Sequence, residues 1–112
     1  MPEHSARTIN AALEAGRRVI AVGTTAVRAV ESVVDADQFV VAGEGWTERL
    51  ISAESPPQIV DGLLTGFHEP EATHLAMLTA LAGENHIRHT YNAALSEQYL
   101  WHEFGDLHLI LA

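Results

Sequence analysis

Val19-Ile20-Ala21-Val22 is a continuous apolar run of β-branched type, bounded by Arg17-Arg18 and by Gly23-Thr24-Thr25. Such a run predicts a strand buried on both faces, as in a parallel sheet. Before it, Ser5 is placed to cap a helix with Ile9, Ala12 and Leu13 on one face, ending at Gly16. After it, Val27, Val30 and Val34 fall on one side of a helix over about Ala26 to Val34. Phe39 to Ala42, the turn Gly43-Glu44-Gly45 and Trp46 to Ile51 read as a hairpin, followed by a loop over Ser52 to Pro57. Ile59 to Thr65 reads as a further strand with an acid and a glycine in its middle. Pro70-Glu71 opens a helix through Leu75, Leu78, Thr79 and Ala82 that stops at Gly83. A second amphipathic helix carries Ile87, Tyr91, Ala94, Leu95 and Tyr99, and Leu107 to Leu111 closes the chain as a strand after a turn at Phe104-Gly105-Asp106. The alternation of strands and helices predicts an α/β class fold: a layered mixed sheet with flanking helices, in a single unit over residues 1–112.

Composition narrows the function. The chain is 112 residues long, 47% hydrophobic and 19% charged, which suits one core-forming unit. No purely apolar run approaches the ~20 residues of a membrane span, and Met1-Pro2-Glu3-His4 lacks a basic-then-apolar leader. A soluble, cytoplasmic protein without a membrane partner is the expectation. Without cysteine there is no disulfide, no thiolate nucleophile and no cysteine-held zinc. Net charge is −9, from 15 acids against 6 bases, all arginine. Nucleic-acid surfaces carry a basic stripe because phosphate neutralisation supplies most of the affinity, and this chain offers none.

Two stretches combine residue types that suit chemistry. Gly23-Thr24-Thr25 follows a buried strand and opens a helix whose first N–H groups are free for a ligand. Arg28, one turn in, adds a bidentate donor for a carboxylate or phosphate. A capped helix with a surface arginine explains the same pattern. Asp61-Gly62-Leu63-Leu64-Thr65-Gly66-Phe67-His68 places an acid within a strand and a histidine at its exit. Ligands of open α/β sheets gather at that end, and a histidine there moves protons near neutral pH. A loop histidine and a locally paired Asp61 are the plainer account. Glu84, His86 and His89, or His102, Glu103 and His108, lack a recognised metal-ligand spacing and read as solvated surface, so no metal is expected. Trp46, Tyr91, Tyr99, Trp101 and Phe104 read as core rather than as base-stacking platforms.

Taken together, the stretches carry a family resemblance. Residues Val19 through Glu31 resemble the signature Arg-Val-Ile-Ala-Val-Gly-Thr-Thr-Ser-Val-Arg-x-Leu-Glu of the S-adenosylmethionine:tRNA ribosyltransferase-isomerases of queuosine biosynthesis. Val60 through Pro70 is similar to that family's Val-Asp-x-Leu-Ile-Thr-Asn-Phe-His-Leu-Pro, and Thr73 matches a Thr that follows it. Tyr91-Asn92-Ala93-Ala94 and Tyr99 through Asp106 resemble two later family motifs, so the likeness is collinear over nearly the whole chain.

The resemblance implies the carboxy-terminal part of a larger two-domain family fold, as a fragment, a split subunit or a decayed homologue. It implies chemistry that transfers and isomerises the ribosyl part of S-adenosylmethionine onto a 7-deazaguanine in tRNA, giving epoxyqueuosine with loss of adenine and methionine. S-adenosylmethionine is then a substrate and no cofactor is expected. Implied substrate-binding residues are Gly23, Thr24, Thr25, Arg28 and Thr65, with Arg28 on the methionine carboxylate; His68 or Asp61 would be the base. Ala26, Gly66, Glu69, Glu71 and Ala72 depart from the pattern, and the two acids weaken the case for tRNA, which would be met through the missing half. The alternative is a non-catalytic binding module holding an adenosyl-type ligand or a partner protein. Truncating the sheet would leave an exposed edge or an apolar face, implying a homo-oligomer or a partner subunit.

Overall fold

The computed structural model describes residues 1–45, 47, 51–66, 72–98 and 107–111. Strands β1 (Ile20–Val22), β2 (Gly62–Gly66) and β3 (Leu107–Leu111) form one sheet in the order β1-β2-β3. β1 and β2 run parallel, with Ile20 opposite Gly62 and Val22 opposite Leu64. β3 returns antiparallel on the other side of β2, with Thr65 opposite His108. Helices α1 (Glu3–Glu14), α2 (Thr24–Glu31), α3 (Ala72–Ala82) and α4 (Glu84–Ser96) complete the described elements. The expected mixed α/β sheet with flanking helices is the observed architecture.

One core holds the layers together. It draws Ala6 from α1, Val27 and Val30 from α2, Met77, Leu78 and Leu81 from α3, and Ile87, Tyr91 and Ala94 from α4. The sheet contributes Ala21, Leu63 and Ile110 to the same cluster. Strand alternation puts these on one face, where α2 packs on β1 and β2 and α3 on β3, with α1 and α4 joining the same core. Ala21 alone is buried in β1, while Ile20 is 45% and Val22 72% exposed. The expectation of burial on both faces is therefore corrected: the apolar run was long enough for a strand, but the described helices lie on one side only.

Other local expectations shift for a common reason, which is that side chains replace sheet partners. The predicted hairpin arm at residues 39–42 is one antiparallel bridge, Val40 to Val34. The Asn10 amide takes both polar groups of Val40, its Oδ1 accepting from the Val40 N–H and its Nδ2 donating to the Val40 carbonyl, each at 2.8 Å. Residues 46 and 48–50 of the second arm lie outside the described residues. α2 starts at Thr24 and ends at Glu31, two residues earlier and three earlier than the spacing predicts. Val34 is free for its bridge because Asp35 Oδ1 accepts from the Asp37 and Phe39 N–H groups and turns the chain. α1 begins at Glu3 behind an extended Pro2 rather than at a Ser5 cap, since proline is suited to a helix start. α3 and α4 stop and start at Gly83 as the pattern requires. None of the described helices is long and apolar enough to cross a membrane.

Candidate functional site

At the carboxyl end of β1, Gly23 adopts φ +90°, ψ 147°, a region that side chains rarely tolerate. The chain turns there directly into α2, with Gly23 at the cap position and no side chain capping the helix. The Gly23 N–H donates to the Leu64 carbonyl at 2.9 Å, which ties this turn to the exit of β2. The carboxyl ends of β1 and β2 thus share one edge of the sheet, as expected for neighbouring parallel strands. Gly23, Thr24 and Thr25 stand on that edge beside Thr65 and Gly66. Phe67 and His68 lie outside the described residues.

Arg28 follows one turn down α2, and its Nε is buried without a hydrogen-bond partner among the described residues. A buried guanidinium nitrogen that meets no acceptor among the described residues is poised to take one. Arg28 lines a cavity of about 620 Å³ together with Thr25, Ser32, Met1, Glu44 and Thr47. Thr25, Arg28 and Ser32 recur at helical spacing, so one face of α2 forms the cavity wall. The Ser32 hydroxyl meets that of Thr47 at 2.6 Å at the far end, and the Met1 ammonium is held by the Gly43 carbonyl. A second cavity, about 780 Å³, lies between α3, α4 and residues 52–54, with Leu75, Ile87 and Tyr91 in its wall. It is the more voluminous, but its wall is chiefly apolar and shares none of the residues of the β1–α2 turn.

Thr65 is 4% exposed and points to the core face, so its hydroxyl lies beneath the rim and beside His108. His108, expected at the surface, is 9% exposed, and burial pushes its imidazole below the usual histidine value of 6.5. Strand alternation in Leu107–Leu111 carries the signal that would have found it, since His108 shares a face with Ile110. His86 and His89 are exposed on α4, and no cluster of three metal-ligating side chains occurs among the described residues. Tyr91 sits in the core as expected, its phenol pushed upward by burial. Trp46, Tyr99, Trp101, His102, Glu103 and Phe104 lie outside the described residues.

Asp61 is not at the rim. It precedes β2, where its Oδ2 accepts from the Val19 N–H at 2.9 Å and its own N–H donates to the Val19 carbonyl at 2.8 Å. Four residues separate Asp61 from Thr65, about 13 Å at ~3.3 Å per strand residue. Asp61, a candidate base alongside His68, thus pairs locally, as the plainer account has it, and substitutes for a ladder partner at the amino ends of the strands. Nearby, the fully buried Glu31 accepts three backbone N–H bonds, from Gln58 on Oε2 and from Ile59 and Val60 on Oε1, each 2.8 Å. The pattern of residues singled out neither Glu31 nor this role.

Residues 1–110 match the family described as queuosine biosynthesis protein. The chain is 44% identical to S-adenosylmethionine:tRNA ribosyltransferase-isomerase of Natranaerobius thermophilus over 95% of its length, which is 31% of that relative. It is 45% identical to the protein of the same name from Moorella thermoacetica over 96% of its length, again 31% of the relative. The crystal structure of S-adenosylmethionine tRNA ribosyltransferase from Thermotoga maritima superposes with a TM-score of 0.82 at 34% identity, covering 98% of this chain and 39% of that one. The chain thus spans about a third of the length of the curated relatives it matches. With the β1–Gly23–α2 turn and the β2 exit joined as their sequences require, the chain belongs to the queuosine biosynthesis protein family and carries one portion of its fold.

Proposed function

We propose that this chain is the carboxy-terminal part of an S-adenosylmethionine:tRNA ribosyltransferase-isomerase, and that its α2 cavity receives the amino-acid end of S-adenosylmethionine. The single observation that carries the reading is the buried, unpartnered Nε of Arg28 in the wall of a cavity that begins at Thr25. The methionine end of the substrate has a carboxylate, which a guanidinium binds through paired N–H groups. Thr25 stands one turn above Arg28, about 4–5 Å along the helix axis, and offers a hydroxyl at the cavity mouth. Glu44, in the same wall, suits the substrate's ammonium.

The reaction has to remove a proton from the carbon beside the sulfonium, and that step needs a base. His68 is the residue of this chain we assign to it, on the motif it shares with the family. Asp61 serves instead as a positioning residue for β1 and β2. The bases and phosphates of tRNA are met by the rest of the fold, since this portion adds net negative charge.

Titration calorimetry of the chain with S-adenosylmethionine tests the reading. We expect saturable binding, weakened at least tenfold by Arg28→Ala and partly restored by Arg28→Lys. Binding that Arg28→Ala leaves unchanged would remove Arg28 from the site. In a second arm, the chain is incubated with S-adenosylmethionine and tRNA carrying the precursor base, and free adenine is followed. The chain alone should release none above background; catalytic turnover would refute its being only part of the catalyst.

A further inference from the structure

α2 is tied to β2 at both of its ends. At its start the Gly23 N–H donates to the Leu64 carbonyl at 2.9 Å, towards the exit of the strand. At its last residue the Glu31 carboxylate accepts from the Gln58, Ile59 and Val60 N–H groups at 2.8 Å each, just before the strand begins at Gly62. The helix between these ties is about 12 Å long at ~1.5 Å per residue, so they bracket it along β2. Arg28 lies between them, three residues before Glu31. Side chains three apart on a helix are neighbours, with Cβ atoms about 5–6 Å from each other, and opposite charges at such spacings commonly pair. On α4 the comparable pair forms, Arg88 to Glu84 at 2.6 Å. On α2 no ion pair joins Arg28 to Glu31. The Glu31 carboxylate is turned to the backbone amides at 1% exposure, while the Arg28 Nε is buried without a partner among the described residues.

We propose that Glu31 is a positioning residue for the α2 cavity: its three backbone hydrogen bonds fix α2 against the entry of β2 and hold the carboxylate away from Arg28, which leaves the guanidinium open to a ligand's carboxylate. The proposal rests on the assignment of that cavity to the amino-acid end of S-adenosylmethionine. It adds that the arginine is available because the acid beside it on the helix is engaged elsewhere. A glutamate with a structural role alone would lower stability and leave the folded molecules binding as wild type. A positioning glutamate changes binding by the folded molecules and acts through Arg28, so the effects of the two substitutions are not additive.

The test is a double-mutant cycle on the 112-residue chain, with S-adenosylmethionine affinity read by calorimetry and the Arg28 side-chain Nε–H resonance read by NMR without ligand. Glu31→Gln should weaken binding at least threefold and shift the Arg28 resonance. Added to Arg28→Ala it should weaken binding no further, within twofold. Ile110→Val, a core change in β3 on the side of β2 away from β1, controls for lost stability and should leave affinity and resonance as in wild type. Should Glu31→Gln unfold the chain, Gln58→Pro replaces it, because it deletes one of the three donors at an exposed residue and should move both readouts the same way. The proposal is overturned if the Glu31 variant binds as wild type, if its loss adds in full to that of Arg28→Ala, or if Ile110→Val weakens binding as much. Wild-type affinity in Arg28→Ala, or no binding by the wild type, would instead sink the carboxylate assignment. The ligand-free resonance then decides alone, and an Arg28 Nε–H unmoved by Glu31→Gln overturns the positioning role.

Discussion

Replacing Glu31 should cost this fold more than any other single carboxylate substitution we can derive from its contacts. The carboxylate ends α2, is 1% exposed, and accepts the N–H groups of Gln58, Ile59 and Val60 at 2.8 Å each. Ile59 and Val60 are themselves buried, so water cannot take over their N–H groups without opening the core. Each buried donor left unpaired costs about 1–3 kcal/mol. Two such donors in Glu31→Ala give roughly 2–6 kcal/mol, reduced by no longer burying a carboxylate, and Gln58 rehydrates at its part-buried position. We expect a net loss of about 3–4 kcal/mol, a large share of the 5–15 kcal/mol that holds a typical domain. Glu31→Gln keeps one acceptor for Ile59 and Val60 but turns an NH2 donor toward the Gln58 N–H, and should lose about 1–2 kcal/mol. Glu31→Asp is shorter by one methylene and should resemble Ala more than Gln.

Urea unfolding followed by circular dichroism gives these differences as midpoint shifts at constant slope. Hydrogen exchange adds a local check: the Ile59 and Val60 amides should be protected in the wild type and exchange faster in both variants. A Glu31→Ala shift below about 0.5 kcal/mol, the usual scatter of surface substitutions, would refute the three-bond account. So would a Gln variant as damaging as Ala, because it would show that acceptor count is not what matters.

Three further outcomes follow from the same structure. Gly23→Ala should destabilise by about 1–3 kcal/mol from backbone strain alone, since φ is +90° and no atom lies within 4 Å of the added Cβ; a thermal melt unchanged from wild type would contradict that backbone. His108 has its folded value pushed below 6.5 by burial, so the unfolded chain binds more protons between the two values, and the stability contribution present above 6.5 is lost as pH falls toward the folded value. Urea midpoints should therefore decline from pH 7.5 to 5.5, and a variant His108→Leu with an unaltered decline would remove His108 as a source. Gel shift near physiological salt should show weak or no binding of tRNA to this chain, given its −9 charge, and sub-micromolar affinity would show its few arginines cluster more than their spacing suggests.

Periodicity made the helices and the parallel pair legible. Val27 and Val30 bury as their spacing requires, and the β1 and β2 runs lie side by side with their glycine exits joined. What periodicity could not carry is where the backbone finds its partners. Val40, Ile59 and Val60 are apolar, β-branched and buried, the profile of strand residues, yet none lies in a strand. Asn10 and Glu31 satisfy their polar groups instead, from 30 and 28–29 residues away in sequence. A side chain that imitates a neighbouring strand leaves no trace in the segment it serves, so the segment reads as strand. The exposure of Ile20 and Val22 has a related reason: a short apolar run specifies a strand but says nothing of how many layers cover it.

Those substitutions also bear on the site. α2 leaves the carboxyl end of β1 at Gly23 and runs back along the strands, so its first turn and its last residue serve opposite ends of the sheet. Glu31 and Asp61 are both drawn to the amino ends of the strands, each occupied by backbone N–H groups. The rim carrying Thr24 and Thr25, with Arg28 a turn below, thus has neither motif acid near it, and the polar groups left there suit binding an anion better than removing a proton. An acid within a family motif invites assignment as a base. Here hydrogen-bond geometry gives both acids a part in strand placement, Glu31 through three backbone N–H bonds and Asp61 through one.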